Sequence, residues 1–386
     1  MTLDSRINDL ATRIGTEIRR LRGNTALSSR MHPFHLALAG QASAPCNVYW
    51  LGDSVSEGAA SSAFSDRGQA VFEKTMRHKP GGAGYHPAWV ISPFVPNPAT
   101  FSMTPVSVAN NPNNLGVQYD ENILDRGLAG KKIGLQKNGW MQWTFTGTRV
   151  RIWYSRTNFF GLSANVIIDG NNVATLDGGG INDPAVSWTS NVLSAGTHTV
   201  RIQEAANAGG SFWVDGAQFL DGDDASGVHV FDGARSGAKA LDYANSSAPW
   251  PDAMAKVSPA LVIMMFGFND STERTVAQYK ADMQAVVSRI QAKLTAGTYT
   301  LAIVTPWAPA PPPSAGWEAY MKAAEEVAEA HPNGVCIRVI DRWSKMVQGQ
   351  NNPGMFATDT IHPNSSGQRV FGAYVASSLA LPAPMR

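Results

Sequence analysis

At 386 residues, with 44% hydrophobic and 16% charged side chains, the chain is long enough for two domains with cores of their own. Its formal charge is only +1, from 31 basic and 30 acidic residues, and no long basic run marks a nucleic-acid surface. No continuous apolar stretch follows the first residues, so neither a secretory signal nor a membrane span is expected, and two cysteines, Cys46 and Cys336, are too few for a disulfide framework and read as free thiols.

The first predicted element is a helix within residues 1–24. Ile7, Ala11, Ile14, Ile18 and Leu21 alternate spacings of four and three, which makes one apolar seam, and Gly23-Asn24 supplies a stop. The seam either packs on its own domain or forms a short oligomerising coiled coil. A homo-oligomer, as a trimer, is the expected assembly in the second case, and so brief a seam needs further contacts to hold it.

Four short continuous apolar runs follow at 46–51, 260–266, 299–305 and 335–340, each bounded by glycine, proline or a charged residue. Strands covered on both faces look like this. Helical patterns at 276–294, 317–330 and 368–379 fall between and after them, so the spacing predicts an open parallel sheet between helices. From about 115 to 220 the rule changes. Alternating segments at 140–145, 149–154, 164–168, 197–202 and 211–214 are separated by turns such as Asp169-Gly170 and Ala195-Gly196. The prediction is an antiparallel β-sandwich at 115–220, inserted into an α/β domain formed by 42–114 and 221–386.

Two distant pieces complement each other chemically. Ser54 follows the first apolar run in Gly52-Asp53-Ser54, and His362 lies three residues beyond Asp359. Alone, Ser54 reads as a helix cap or turn residue. With Asp359 holding one imidazole nitrogen and Ser54 facing the other, the three residues compose a nucleophile, base and orienting carboxylate. The negative charge that develops on an attacked carbonyl oxygen needs fixed donors. The backbone N–H of Gly237, the side-chain amide of Asn269 and the N–H of Ser54 are the candidates.

These blocks resemble the SGNH, or GDSL-type, hydrolases. Gly52 to Gly58 matches the first family block, Gly237 within Ala234–Ala238 the second, Gly267-Phe268-Asn269-Asp270 the third and Asp359 to Pro363 the fifth. The resemblance covers roughly 42–75 and 228–380. It implies a flavodoxin-like three-layer α/β hydrolase domain and serine-dependent carboxylic-ester hydrolysis. By it Ser54 is the nucleophile, His362 the base and acid, Asp359 its orienting carboxylate, and Ser54, Gly237 and Asn269 the oxyanion hole. Ser56 stands where threonine is frequent, and Phe268 where the family has a smaller residue.

No Gly-x-Ser-x-Gly elbow, Walker A sequence, dinucleotide fingerprint or zinc-protease motif is present. The cluster Asp221, Asp223 and Asp224 suits a polar boundary better than a cation site, so no cofactor or metal is expected. The 115–220 segment vaguely resembles carbohydrate-binding sandwiches. Trp188 and Trp213 are candidate sugar-stacking residues there, with core packing the alternative. Phe268 and Trp307 are candidates for the wall of an acyl pocket, with an inward-facing structural role equally open for Trp307. The expected substrate is an acylated glycan, or alternatively a cell-envelope lipid ester. A non-catalytic glycan-binding protein is the remaining alternative. The N-terminal helix weakly resembles actinophage minor tail segments, which places the protein on a virion tail or at an extracellular surface.

Overall fold

The computed structural model describes residues 29–77, 81–82, 84–88, 101–103, 117–120, 127–128, 132–137, 139–158, 162–205, 210–245, 247, 249–309, 316–339, 354–359 and 361–380. The predicted N-terminal helix lies outside them. In chain order the elements begin with α1 (His32–Ala39), β1 (Pro45–Gly52), α2 (Ser54–Glu57) and α3 (Gly68–Met76). Then come β2 (Gly84–Pro87), β3 (Phe101–Met103), β4 (Val117–Asp120), β5 (Lys132–Leu135), β6 (Trp140–Gly147) and β7 (Arg149–Arg156). The β-rich part ends with β8 (Ser163–Ile168), β9 (Asn171–Asp177), β10 (Asp183–Thr189), β11 (Gly196–Glu204) and β12 (Phe212–Leu220). After it run β13 (Gly227–Ala234), α4 (Ala240–Asn245), α5 (Trp250–Lys256), β14 (Leu261–Met265) and α6 (Val276–Gln291). The last elements are β15 (Thr300–Thr305), α7 (Trp317–Ala330), β16 (Gly334–Arg338) and α8 (Ser365–Leu379).

The continuous apolar runs pair as expected. Among the described residues they form a parallel sheet in the order β13-β1-β14-β15-β16. In chain order this is second, first, third, fourth, fifth, the flavodoxin-like arrangement with its switch point beside the first strand. Every residue of β14 and β15 is buried, which is why these runs show no polar alternation. Helices α3 and α8 pack together, and α4, α6 and α7 form a second group. The Thr275 side chain and Gln278 close a capping box at the start of α6, which sets where that helix begins.

The alternating segments form two antiparallel sheets, β10-β7-β12-β5-β4 with β2 beside β12, and β3-β6-β11-β8-β9. Alternate side chains of both meet in one buried cluster, with Phe145 stacked on Phe219 at 4.8 Å between ring centroids. The opposite face of the first sheet turns to the parallel-sheet body, where Trp153 and Tyr85 pack on Phe231. Antiparallel pairing begins ahead of the expected residue 115, since β2 pairs with β12 and β3 with β6. Those strands have four and three residues, too few to display a period of two.

Candidate active site

Gly52 ends β1, and it is flanked in register by Ala234 of β13 and Met265 of β14. Ser54, the Gly237 loop and Asn269 therefore follow three adjacent strands at their carboxyl ends, where ligands bind in open α/β sheets. A Cβ on Gly52 would lie 2.2 Å from Ser56 Oγ, so only glycine lets the chain turn this tightly. Ser54 opens the short helix α2, capped by Asp53, whose Oδ1 accepts from the Val55 N–H at 3.0 Å. Gly58 closes it in the left-handed conformation with φ +86.

Ser54 Oγ lies 2.7 Å from His362 Nε2, and His362 Nδ1 lies 2.6 Å from Asp359 Oδ2. Asp359 Oδ1 also accepts the backbone N–H groups of Ile361 at 3.0 Å and His362 at 2.9 Å. Burial pushes the Asp359 carboxyl up, but these hydrogen bonds outweigh it and hold the group below the usual carboxylate range. It therefore stays ionised at neutral pH and fixes the imidazole with Nδ1 protonated and Nε2 free to accept. The histidine loop is closed by the Ala357 N–H on the His362 carbonyl at 2.8 Å and the Asn364 N–H on the Met355 carbonyl at 3.0 Å. Asn364 then caps α8.

A buried network sets the nucleophile against the rest of the sheet edge. Arg67 donates to the Glu57 carbonyl and to Asp232 Oδ2, both at 2.5 Å, and Gln69 bridges Asp232 and the Ser56 carbonyl. Asp232 Oδ1 in turn accepts the Ala234 N–H, just ahead of the Gly237 loop. From the other side, Gln368 of α8 donates to the Val55 carbonyl and accepts the Gly68 N–H, each at 2.9 Å.

Three donors remain unused among the described residues. Neither the Ser54 nor the Gly237 N–H has an acceptor, and Asn269 Nδ2 spends one hydrogen on the Ala238 carbonyl at 3.0 Å, leaving the second. Gly237 has φ +73, and a Cβ there would meet nothing within 4 Å, so the loop is open on that side. These are the features an oxyanion hole requires.

The aromatic candidates lie elsewhere. Trp307 is fully buried, with Phe268, Phe356 and Phe371 around it, so it is a core residue and not a pocket wall. Phe268 is buried as well, stacked on Trp317 at 5.3 Å, and it anchors the Asn269 loop in the core. Trp188 packs on the cluster between the antiparallel sheets. Trp213 lies beside Phe212 and Val214, which point into that cluster, so it faces the opposite way, with Lys132 over its ring at 4.7 Å. Among the acidic cluster, Asp224 pairs with Arg149 at 2.7 Å, and Asp223 accepts the N–H groups of Asp221 and Gly82.

Residues 179–370 match the model of the GDSL-like lipase/acylhydrolase family. That stretch holds Gly237, Asn269, Asp359 and His362, while Ser54 comes from outside it and joins them through β1. Among solved structures, one described as a peptidoglycan O-acetylesterase in action matches 91% of this chain and 94% of its own, with TM-score 0.65 and 15% identity. The chain has an SGNH/GDSL-type esterase fold. It is a serine-dependent hydrolase. A family two carbohydrate esterase from Clostridium thermocellum matches at TM-score 0.34 and 12% identity, over 69% of this chain and 98% of that one. An acetylxylan esterase from Geobacillus stearothermophilus also gives 0.34, with 16% identity over 41% and 74%. Of these three likenesses only the first bears on the SGNH/GDSL fold of the whole chain. No curated protein matches the sequence.

Sequence reasoning reaches the five residues at the sheet edge but misses Glu57, Asp270, Arg67, Asp232 and Gln368, which hold them. Glu57 and Asp270 stand inside the motifs themselves. Their roles depend on which loops the sheet brings together, and no spacing reveals that.

Proposed function

We propose that the protein removes acetyl or other short acyl groups from a glycan, with Ser54 as nucleophile, His362 as base and acid, and Asp359 as its orienting carboxylate. The single observation that carries the chemistry is the continuous line Ser54 Oγ, His362 Nε2 and Nδ1, Asp359 Oδ2, at 2.7 and 2.6 Å. As Ser54 Oγ attacks the ester carbon, its proton passes to His362 Nε2. The Ser54 and Gly237 N–H groups and Asn269 Nδ2 receive the oxyanion. His362 then returns the proton to the departing sugar hydroxyl, leaving an acyl-serine. Water, deprotonated by His362, attacks that acyl group, and collapse releases the free acid and Ser54.

The glycan preference is supported by the fold likeness to the peptidoglycan O-acetylesterase, which extends over 91% of the chain and so takes in the antiparallel sheets as well as the hydrolase body. On this reading the enzyme works on a cell-surface polymer, carried there on a virion tail or by export, and the seam within residues 1–24 assembles it as a trimer. Among the described residues no helix is long and apolar enough to cross a membrane.

The test is acetate release from O-acetylated peptidoglycan and acetylated xylan, with long-chain lipid esters in parallel. Acetate release abolished by Ser54→Ala supports the proposal. Cleavage of the lipid esters with no release from any glycan replaces the substrate class, and no ester turnover at all leaves a glycan-binding protein. Light scattering of the full chain checks the assembly, and a monomer at micromolar concentration rejects the trimer.

A further inference from the structure

The loop between β13 and α4 carries an uneven pattern of hydrogen bonding. Of its consecutive backbone N–H groups, Arg235 donates to the Gly52 carbonyl at 2.9 Å and Ser236 to Glu57 Oε2 at 2.7 Å. Ala238 donates to the Arg235 carbonyl at 3.1 Å, Lys239 to Asp242 Oδ2 at 2.9 Å and Ala240 to Asp270 Oδ1 at 2.9 Å. Between residues 235 and 240, only the Gly237 N–H has no acceptor among the described residues. Its neighbours are therefore spoken for, and Gly237 alone has a donor left for a substrate.

Two of those acceptors are buried carboxylates belonging to the other site loops. Glu57, 1% exposed, is the last residue of the helix that Ser54 begins. Asp270, 0% exposed, follows Asn269, and its second oxygen accepts the Gly267 N–H at 3.1 Å. One carboxylate thus ties the nucleophile helix to the Gly237 loop, and the other ties the Asn269 loop to it. The Asn269 amide on the Ala238 carbonyl adds a third tie.

Burying a carboxylate is costly, and more so beside a site where negative charge develops during the reaction. Burial pushes the Asp270 carboxyl up to about 7 against the backbone N–H groups, chiefly those of Ala240 and Gly267, that favour its charged form. A neutral side chain would fill the same volume at lower cost. What it would not supply is two acceptors at once, since asparagine turns an NH2 group toward one of the two N–H donors.

We propose that Glu57 and Asp270 are positioning residues, which fix the Gly237 loop between the Ser54 helix and the Asn269 loop so that the oxyanion donors are set before substrate arrives. The proposal rests on the reading of Gly237 and Asn269 as oxyanion donors. It differs from a purely structural role in one respect: the loss must fall on transition-state binding.

The experiment compares the wild type with Glu57→Gln, Glu57→Ala, Asp270→Asn and Asp270→Ala on p-nitrophenyl acetate. Each enzyme is normalised by titrating reactive Ser54 with a fluorophosphonate, so unfolded protein is not counted. Removing one oxyanion donor typically costs on the order of 10²–10³ in kcat, so a misplaced one is expected to cost about 10–100-fold. KM is expected to change little. Affinity for an alkyl boronic acid, which forms a tetrahedral adduct on Ser54, should fall by the same factor as kcat/KM. The conservative variants should retain more activity than the alanine variants, because each keeps one acceptor. Unchanged kcat per titrated serine, or a rise in KM with boronate affinity preserved, overturns the proposal. A wild type without ester turnover removes instead the catalytic reading on which it stands.

Discussion

The side-chain amide of Gln368 lies 2.9 Å from the carbonyl of Val55, so the helix that follows His362 is fastened to the helix that begins with Ser54. The same side chain accepts the Gly68 N–H and has no exposed surface. The distance between serine and histidine, residues 308 positions apart, is thus set by a buried bidentate contact one turn into α8.

Gln368→Leu is expected to lower kcat with little change in KM. Leucine matches the volume but leaves the Gly68 N–H buried without a partner, a cost of about 1–3 kcal/mol, and takes one of two donors from the Val55 carbonyl, which keeps the Gly58 N–H at 3.1 Å. Steady-state kinetics per titrated serine separate a displaced histidine from lost protein. A kcat equal to that of the wild type refutes the coupling.

Asp359→Asn is expected to reduce kcat by roughly two to four orders of magnitude with the fold intact, because an amide cannot hold the imidazole in the tautomer that accepts from Ser54. Ser54→Ala should abolish both turnover and labelling by a fluorophosphonate. Full labelling of the alanine variant would show that another serine is the nucleophile.

Much of this arrangement is legible in the amino-acid sequence. β14 and β15 are buried throughout and declare themselves as unbroken apolar runs, and the predicted helix at 317–330 coincides with α7. Ser54, Asp359 and His362 are recoverable because their chemistry is specific and their blocks are ordered. The aromatic residues are not. Trp307 follows a strand end and precedes a proline-rich loop, a place that suits a pocket wall as well as a core, and only packing against Phe268, Phe356 and Phe371 decides between them. β2 and β3 escape detection because four and three residues carry no period.

Trp307→Phe tests that reassignment. A smaller ring in a fully buried site leaves a cavity and should cost stability, visible as a lower Tm. The ratio of kcat/KM between acetyl and butyryl esters should not move, since Trp307 has no exposed surface for a substrate to meet. A shift in that ratio at unchanged stability would return Trp307 to the acyl pocket.

Asp215 gives an expectation for pH, away from the chemistry. It sits on β12 with no exposed surface, and Ser155 Oγ donates to its Oδ1 at 2.9 Å. Burial is the main reason its carboxyl is pushed up from 3.8 to about 7. A carboxyl that holds its proton more tightly folded than unfolded contributes stability that is complete below the unfolded value, and that stability is lost as pH rises through the folded one. Asp53 and Asp270 are shifted the same way, again mainly by burial. The wild type is therefore expected to lose thermal stability between about pH 4 and pH 7 through these three groups. Asp215→Asn keeps an oxygen for Ser155 and has no proton to lose, so its Tm should fall less over the same window. Asp53 and Asp270 would account for the slope that remains. Parallel Tm curves for the two proteins would mean that Asp215 does not titrate between the folded and unfolded values.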